Sequence, residues 1–258
     1  MWAIITLTTD FGVRDSYVAQ MKAVILGITR EVHIVDISHE VEQHDITAGA
    51  LTLEEAVGAF PPGTVHLAVV DPGVGTRRRG LAVAAQGFLL VGPDNGLFTP
   101  FLDGDGWEAF EISAPEFRRP VVSRTFHGRD VFAPAAAHLA TGLPPDRLGP
   151  AVRDPVRLSW PAVHAVGGDV AGVVIHVDRF GNLVTSIPAE RTALLGSEVV
   201  VRVGDRVLPL VRTYGDLERG KPGALIGSAN RLEIAVREGS AQAYLNAGRG
   251  TPVILTRP

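Results

Sequence analysis

The sequence predicts an α/β protein: a parallel sheet covered by helices on both faces, followed by an antiparallel β domain. Two observations predict this. Up to Pro150, apolar runs rich in β-branched residues alternate with helix-like stretches, as expected of strands buried on both faces of a sheet. Beyond Pro150 the runs are short and separated by glycine turns, the texture of an antiparallel fold.

The first five elements read strand, helix, strand, helix, strand: Ala3 to Thr8, Ser16 to Leu26, His33 to Ile37, Ile46 to Ala59 and Val65 to Val70. An apolar run from Leu81 to Val91 follows, and the alanine-rich stretch from Val131 to Thr141 reads as a helix. In the second half, Ala171 to Val177, Glu198 to Val203, Arg206 to Val211, Arg231 to Ala235 and Thr251 to Leu255 read as strands. These readings give an N-terminal domain over 1–157 and a C-terminal domain over 168–258. The linker, 158–167, overlaps SWPAVHAVGG at 159–168, which mixes proline and glycine without a clear period.

At 258 residues the chain is long enough to bury a substantial core. Its net charge of −4 comes from well-mixed charged residues, so a nucleic-acid track or a polybasic membrane surface is not expected. The absence of cysteine excludes disulfides, thiolate metal sites and cysteine nucleophiles. No apolar stretch reaches bilayer length and no signal peptide opens the chain, so a soluble cytoplasmic protein with a small ligand is expected.

Four segments could carry chemistry. In VVDPGVGTRRR, from Val69 to Arg79, Asp71 leaves a strand end, glycines supply a tight turn, and arginines can fold back toward the carboxylate. The loop lacks both the P-loop spacing and the dinucleotide fingerprint. In TTDFGVRDSY, Asp10 stands where the first strand ends and can accept from two vicinal ribose hydroxyls, while Asp15 or Ser16 is expected to cap the following helix. RTFHGRD places His127, a side chain suited to proton transfer near neutral pH, just before a helix. The remaining histidines show no metal-ligand spacing. In HVDRFGNLVTSI, Phe180 could stack on a purine while Asn182 reads its edge, with Tyr214 as an opposite wall; a plain hairpin turn explains the same residues.

Taken in order, TDFG at 9–12, DPGVGT at 71–76, PDNGLF at 93–98, FHGRD at 126–130, DRFGN at 178–182 and GSANRLEIA at 227–235 resemble the S-adenosyl-L-methionine hydrolases. These hydroxide adenosyltransferases, the DUF62 family, are related to fluorinases and chlorinases. The resemblance implies a Rossmann-like N-terminal domain, a C-terminal β-barrel domain and a homotrimer. Each site would lie between one subunit's N-terminal domain and its neighbour's C-terminal domain. It implies a catalytic triad of Asp71, Arg78 and His127, with Arg77 and Arg79 left open by sequence alone. It also implies that Asp10 holds ribose, and that Phe180, Asn182 and Tyr214 hold adenine with backbone near Val236 and Glu238. Asp178 and Ser228, with Asp15, would grip the methionine end.

The implied reaction is attack of water or hydroxide on ribose C5′, giving adenosine and L-methionine, with S-adenosylmethionine as substrate and neither cofactor nor metal. A halogenase on the same scaffold is the nearest alternative. Against it, His127 stands where the fluorinase pattern has tyrosine, Gly128 replaces a serine, Asp71 would repel a halide, and Leu81 to Pro93 is too short for the fluorinase's extra loop. Two readings come from other classes. A metal-dependent phosphohydrolase would use Asp10, Asp15, Asp94 and Asn95 as oxygen ligands, and a non-catalytic adenosine or S-adenosylmethionine sensor would keep the purine pocket alone.

Overall fold

The computed structural model describes residues 2–193 and 199–257. The chain divides into two compact units, Met1–Leu158 and Ser159–Pro258. No helix among the described residues is long and apolar enough to cross a membrane.

The first unit contains β1 (Ala3–Thr9), α1 (Tyr17–Ile28), β2 (Val32–Ser38), α2 (Ile46–Val57), β3 (Val65–Val69), β4 (Gly80–Ala85), β5 (Phe88–Pro93), β6 (Glu108–Glu111) and α3 (Ala133–Ala140). Its sheet runs in the order β2-β1-β3-β5-β4-β6. The first four strands of that order are parallel, whereas β4 is antiparallel to both β5 and β6. The sheet is therefore mixed, where the sequence reading had it parallel. The reason lies inside the run from Leu81 to Val91: Gln86 and Gly87 both have positive φ (53° and 82°), as a two-residue type I′ hairpin turn requires.

Side-chain alternation decides what each face buries. Ile5 and Leu7 of β1, with Leu67 and Val69 of β3, pack against Met21 and Ile25 of α1 and the alanines of α3. On the other face α2 buries Leu51 and Leu53. Asp45 caps α2 by accepting from the Ala48 amide at 2.9 Å. The cap expected for α1 does not form: Ser16 stands at the N-cap without a side-chain cap bond, and its hydroxyl accepts from Gln20 Nε2 instead. The helix expected from Val131 begins as a π turn over Gly128–Phe132 and continues as α3.

The second unit contains β7 (His164–Val166), β8 (Asp169–Val177), β9 (Leu183–Pro188), β10 (Val200–Val203), β11 (Arg206–Pro209), β12 (Pro222–Ile226), β13 (Arg231–Val236) and β14 (Pro252–Thr256). They form an antiparallel sheet in the order β11-β10-β14-β8-β9-β13-β12, with β7 paired to β8. Leu210 bridges Ala224 and the Val211 amide donates to the Ala224 carbonyl at 2.8 Å, so the two ends of this order nearly close a barrel. Val174, Leu183, Val201, Leu232, Ile234 and Val253 fill its core. The strand expected from Glu198 is described from Val200 onward, position 198 lying outside the described residues. The reading from sequence missed β7, β9 and β12. β9 hides behind polar Thr185 and Ser186, which are buried, and β12 opens on Pro222 and Gly223, which read as a turn. β7 falls within the stretch assigned to the linker.

Candidate functional site

In the first unit, Asp10, the 71–79 loop and Asn95 follow β1, β3 and β5, three adjacent parallel strands. They therefore emerge at the carboxyl edge of the sheet, where open α/β sheets bind ligands. Asn95 Nδ2 donates to the Val70 carbonyl at 2.8 Å and ties two of these loops together.

Asp71, Arg78 and His127 meet there. Arg78 Nε donates to Asp71 Oδ1 at 2.9 Å, and Nη2 donates to Asp71 Oδ2. The same Nη2 lies 2.9 Å from His127 Nδ1. Because a guanidinium can only donate, Nδ1 must be the accepting nitrogen, which puts the ring proton of a neutral His127 on Nε2. Burial, and next the Arg78 charge, lower the pKa of His127, against the opposing pull of Asp71. Both reinforce the neutral form. The pair is well shielded, with side chains 11% (Arg78) and 5% (Asp71) exposed, and the guanidinium packs over the Phe132 ring at 5.1 Å.

Two features hold the loops in place. Gly75 has φ 78°, and a Cβ there would come within 2.4 Å of the Arg124 carbonyl oxygen, so only glycine lets the 71–79 loop approach the segment leading to His127. Asp130 is fully buried. Its carboxylate accepts from Arg129 Nε at 2.7 Å, from Arg119 Nη1 at 3.1 Å and from the Ser123 amide at 2.8 Å.

The structure separates the three arginines. Arg77 is exposed. Arg79 pairs with Asp94 and Asp154, and Asp94 also accepts from the Val156 amide at 2.7 Å. Arg78 alone reaches Asp71 and His127. Asp10 accepts from the His44 amide at 2.9 Å, and Asp15 is exposed. Asp94 and Asn95, two of the four oxygen ligands of the phosphohydrolase reading, are thus engaged in holding loops. Among the described residues, no three His, Cys, Asp or Glu side chains group so as to hold a metal ion.

In the second unit, a cleft of about 800 Å³ is lined by all seven residues singled out there: Asp178, Phe180, Asn182, Tyr214, Ser228, Val236 and Glu238. Asp178 builds the turn between β8 and β9: its Oδ1 accepts from the amides of Phe180 and Asn182, both at 2.8 Å, and its Oδ2 accepts from Asn182 Nδ2 at 2.9 Å. That last bond leaves Asn182 Oδ1 as the free end of the amide. Phe180 is 77% exposed and Tyr214 46% exposed, two aromatic surfaces available for stacking. Glu233, Gly215, Arg237 and Gly239 also line the cleft and were missed. For Glu233 a signal was present, a carboxylate amid the apolar alternation of RLEIAV on β13.

Together these features define a two-part α/β protein with a polar cluster at its sheet edge and, in its β unit, a cleft with two exposed aromatic rings in its wall. The SAM hydroxide adenosyltransferase N-terminal domain matches residues 5–149 and the C-terminal domain of the same name matches residues 172–254. The chain belongs to the SAM hydroxide adenosyltransferase family. An (R)-S-adenosyl-L-methionine hydrolase of Thermus thermophilus is 44% identical over 256 residues, covering 96% of this chain and 97% of that protein. A fluorinase of Actinopolyspora mzabensis is 31% identical, covering 98% and 97%. A crystal structure of a conserved protein from Thermotoga maritima superposes with a TM-score of 0.92 at 37% identity, covering 98% of this chain and all of that one.

Proposed function

We propose that this protein hydrolyses S-adenosyl-L-methionine to adenosine and L-methionine, without a metal ion. It would take the sulfonium form named in its relatives, (R)-S-adenosyl-L-methionine. The observation that carries the reading is the contact of Asp71, Arg78 and His127 at the carboxyl edge of the sheet. The lower identity to fluorinases also favours hydrolysis over halogenation.

In this reading a water oxygen attacks C5′ in line with the sulfur. The C5′–S bond breaks, its electron pair stays on sulfur, and methionine leaves as a neutral thioether. The water proton passes to the Asp71 carboxylate, which Arg78 holds in place. His127 acts as a donor through Nε2 and supports hydroxide character on the attacking oxygen, a role distinct from that of a base. Since the leaving group needs no protonation, alignment of oxygen and carbon is the main contribution, worth roughly 7–11 kcal/mol in favourable cases. Hydroxide and sulfonium neutralise each other on the way to the transition state, and a shielded site favours that change.

Asp10 is assigned to the ribose hydroxyls, and Phe180, Asn182 and Tyr214 to adenine, with backbone near Val236 and Glu238. Asp178, Ser228 and Asp15 are assigned to the methionine end. A cytoplasmic homotrimer is the assembly proposed, and light scattering tests its size. The deciding experiment incubates the protein with each sulfonium epimer in chloride-free buffer containing a chelator. Adenosine and methionine from the (R) epimer are expected. No turnover, or turnover only after a metal is restored, overturns the proposal.

A further inference from the structure

Glu233 is a buried carboxyl in the wall of the cleft, and nothing in the reading above uses it. It sits on β13, 8% exposed, and accepts the Tyr214 hydroxyl at 2.6 Å through Oε1. Its other oxygen lies against Gly227, just before Ser228, where a Cβ would come within 2.4 Å of Oε2 and press on the carboxyl. Asp178 is close enough to act on its charge, and burial with that neighbour pushes the carboxyl above its usual range despite the Tyr214 bond.

Tyr214 needs an anchor. It opens a three-residue 3₁₀ turn, Tyr214–Asp216, and its ring is nearly half exposed. A ring on so short a turn would move between rotamers in water, and ordering it on ligand binding costs free energy. The hydrogen bond to a carboxyl that is itself fixed within a β strand removes that freedom before the ligand arrives.

We propose that Glu233 is a positioning residue for binding: by holding the Tyr214 hydroxyl it pre-sets the aromatic wall against which the purine stacks. The inference rests on the purine assignment of this cleft. Glu233 acts through Tyr214, so it governs affinity for the nucleoside and leaves the rate of bond cleavage nearly unchanged.

The test measures adenosine binding by calorimetry and steady-state hydrolysis for Glu233→Ala, Tyr214→Phe, the double variant and Glu233→Gln. The two single variants are expected to raise the adenosine Kd and the substrate KM about five- to tenfold, the loss of one well-placed hydrogen bond. In Glu233→Ala, kcat should stay within about threefold of wild type, so the loss falls on KM. The double variant should be no worse than either single one, because both remove the same bond. Glu233→Gln keeps an oxygen acceptor and should restore most of the affinity. Unchanged Kd and KM in Tyr214→Phe, an exposed site that leaves the core intact, overturn the inference, as do additive losses in the double variant. Wild-type protein that binds adenosine but leaves S-adenosylmethionine intact refutes hydrolysis and spares the role of Glu233. Failure of wild type to bind adenosine refutes the purine assignment and the role of Glu233 with it.

Discussion

Arg78 Nη2 stands 2.9 Å from His127 Nδ1, joining residues 49 positions apart in the chain. The same guanidinium holds Asp71 through Nε, so one side chain fixes the geometry of both partners.

Replacing Arg78 therefore tests the whole cluster. Lysine keeps the charge but cannot span two partners with a planar fork. Arg78→Lys is expected to lower kcat about a hundredfold, Arg77→Ala to stay within about twofold, and Arg79→Ala to lower thermal stability by loosening Asp94 and Asp154. Steady-state kinetics and melting curves on the three variants check this ordering.

Asp71→Asn and His127→Ala should each lower kcat by about 10²–10⁴-fold while adenosine still binds. Calorimetry on the inactive variants separates the two effects. Full turnover in both would remove the cluster from the mechanism.

Burial and the Arg78 charge set the native pKa of His127 below the ordinary histidine value of 6.5. A second ring proton would occupy Nδ1, the atom that accepts from Arg78, and break the cluster; under the proposed mechanism kcat/KM should therefore climb with pH through a value below 6.5 and level off near neutrality. In Arg78→Gln the nearby charge is gone, and the acid limb of the residual activity should move to higher pH. A pH–rate profile of both proteins reads the shift.

Gly75→Ala would force a positive φ on alanine and press its Cβ on the Arg124 carbonyl. The loops bearing Arg78 and His127 should part, costing about 1–3 kcal/mol of stability and at least tenfold in kcat, a loss of about 1.4 kcal/mol or more in transition-state stabilisation. Denaturant unfolding and kinetics together check the prediction.

His66 is fully buried between Phe60 and Phe88 and bonded to Thr6 Oγ1 at 2.8 Å; burial pushes its pKa down to about 4. The native ring is neutral where the unfolded one takes a proton, so its contribution is complete above pH 6.5 and lost as pH falls toward 4. The loss is on the order of 3 kcal/mol across that interval. Denaturant unfolding from pH 7 to pH 4 should show a shallower decline in His66→Phe than in wild type.

The sequence made the strand ends legible because buried parallel strands are continuous apolar runs, and glycine and proline mark where they stop. Asp71 and His127 stood out as polar groups at such boundaries, and all seven residues singled out in the β unit line one cleft. Arg78 could not be told from Arg77 and Arg79, since adjacent arginines differ only in the tertiary partners they reach. Glu233 escaped notice because its partner, Tyr214, lies on another element. Thr185 and Ser186 concealed β9, since their burial follows from strand pairing and leaves no trace in hydropathy.

The Gln86–Gly87 turn has an effect on the far side of the sheet. By reversing the chain it makes β4 run against β3, so the first residue of β4 and the last of β3 share one rim. A crossover helix there would have delivered β4 in the same sense as β3 and carried the arginines to the opposite rim. Asp71 and Arg78 are instead the two footings of a single arch, and the acid and its cationic clamp are brought together by strand polarity.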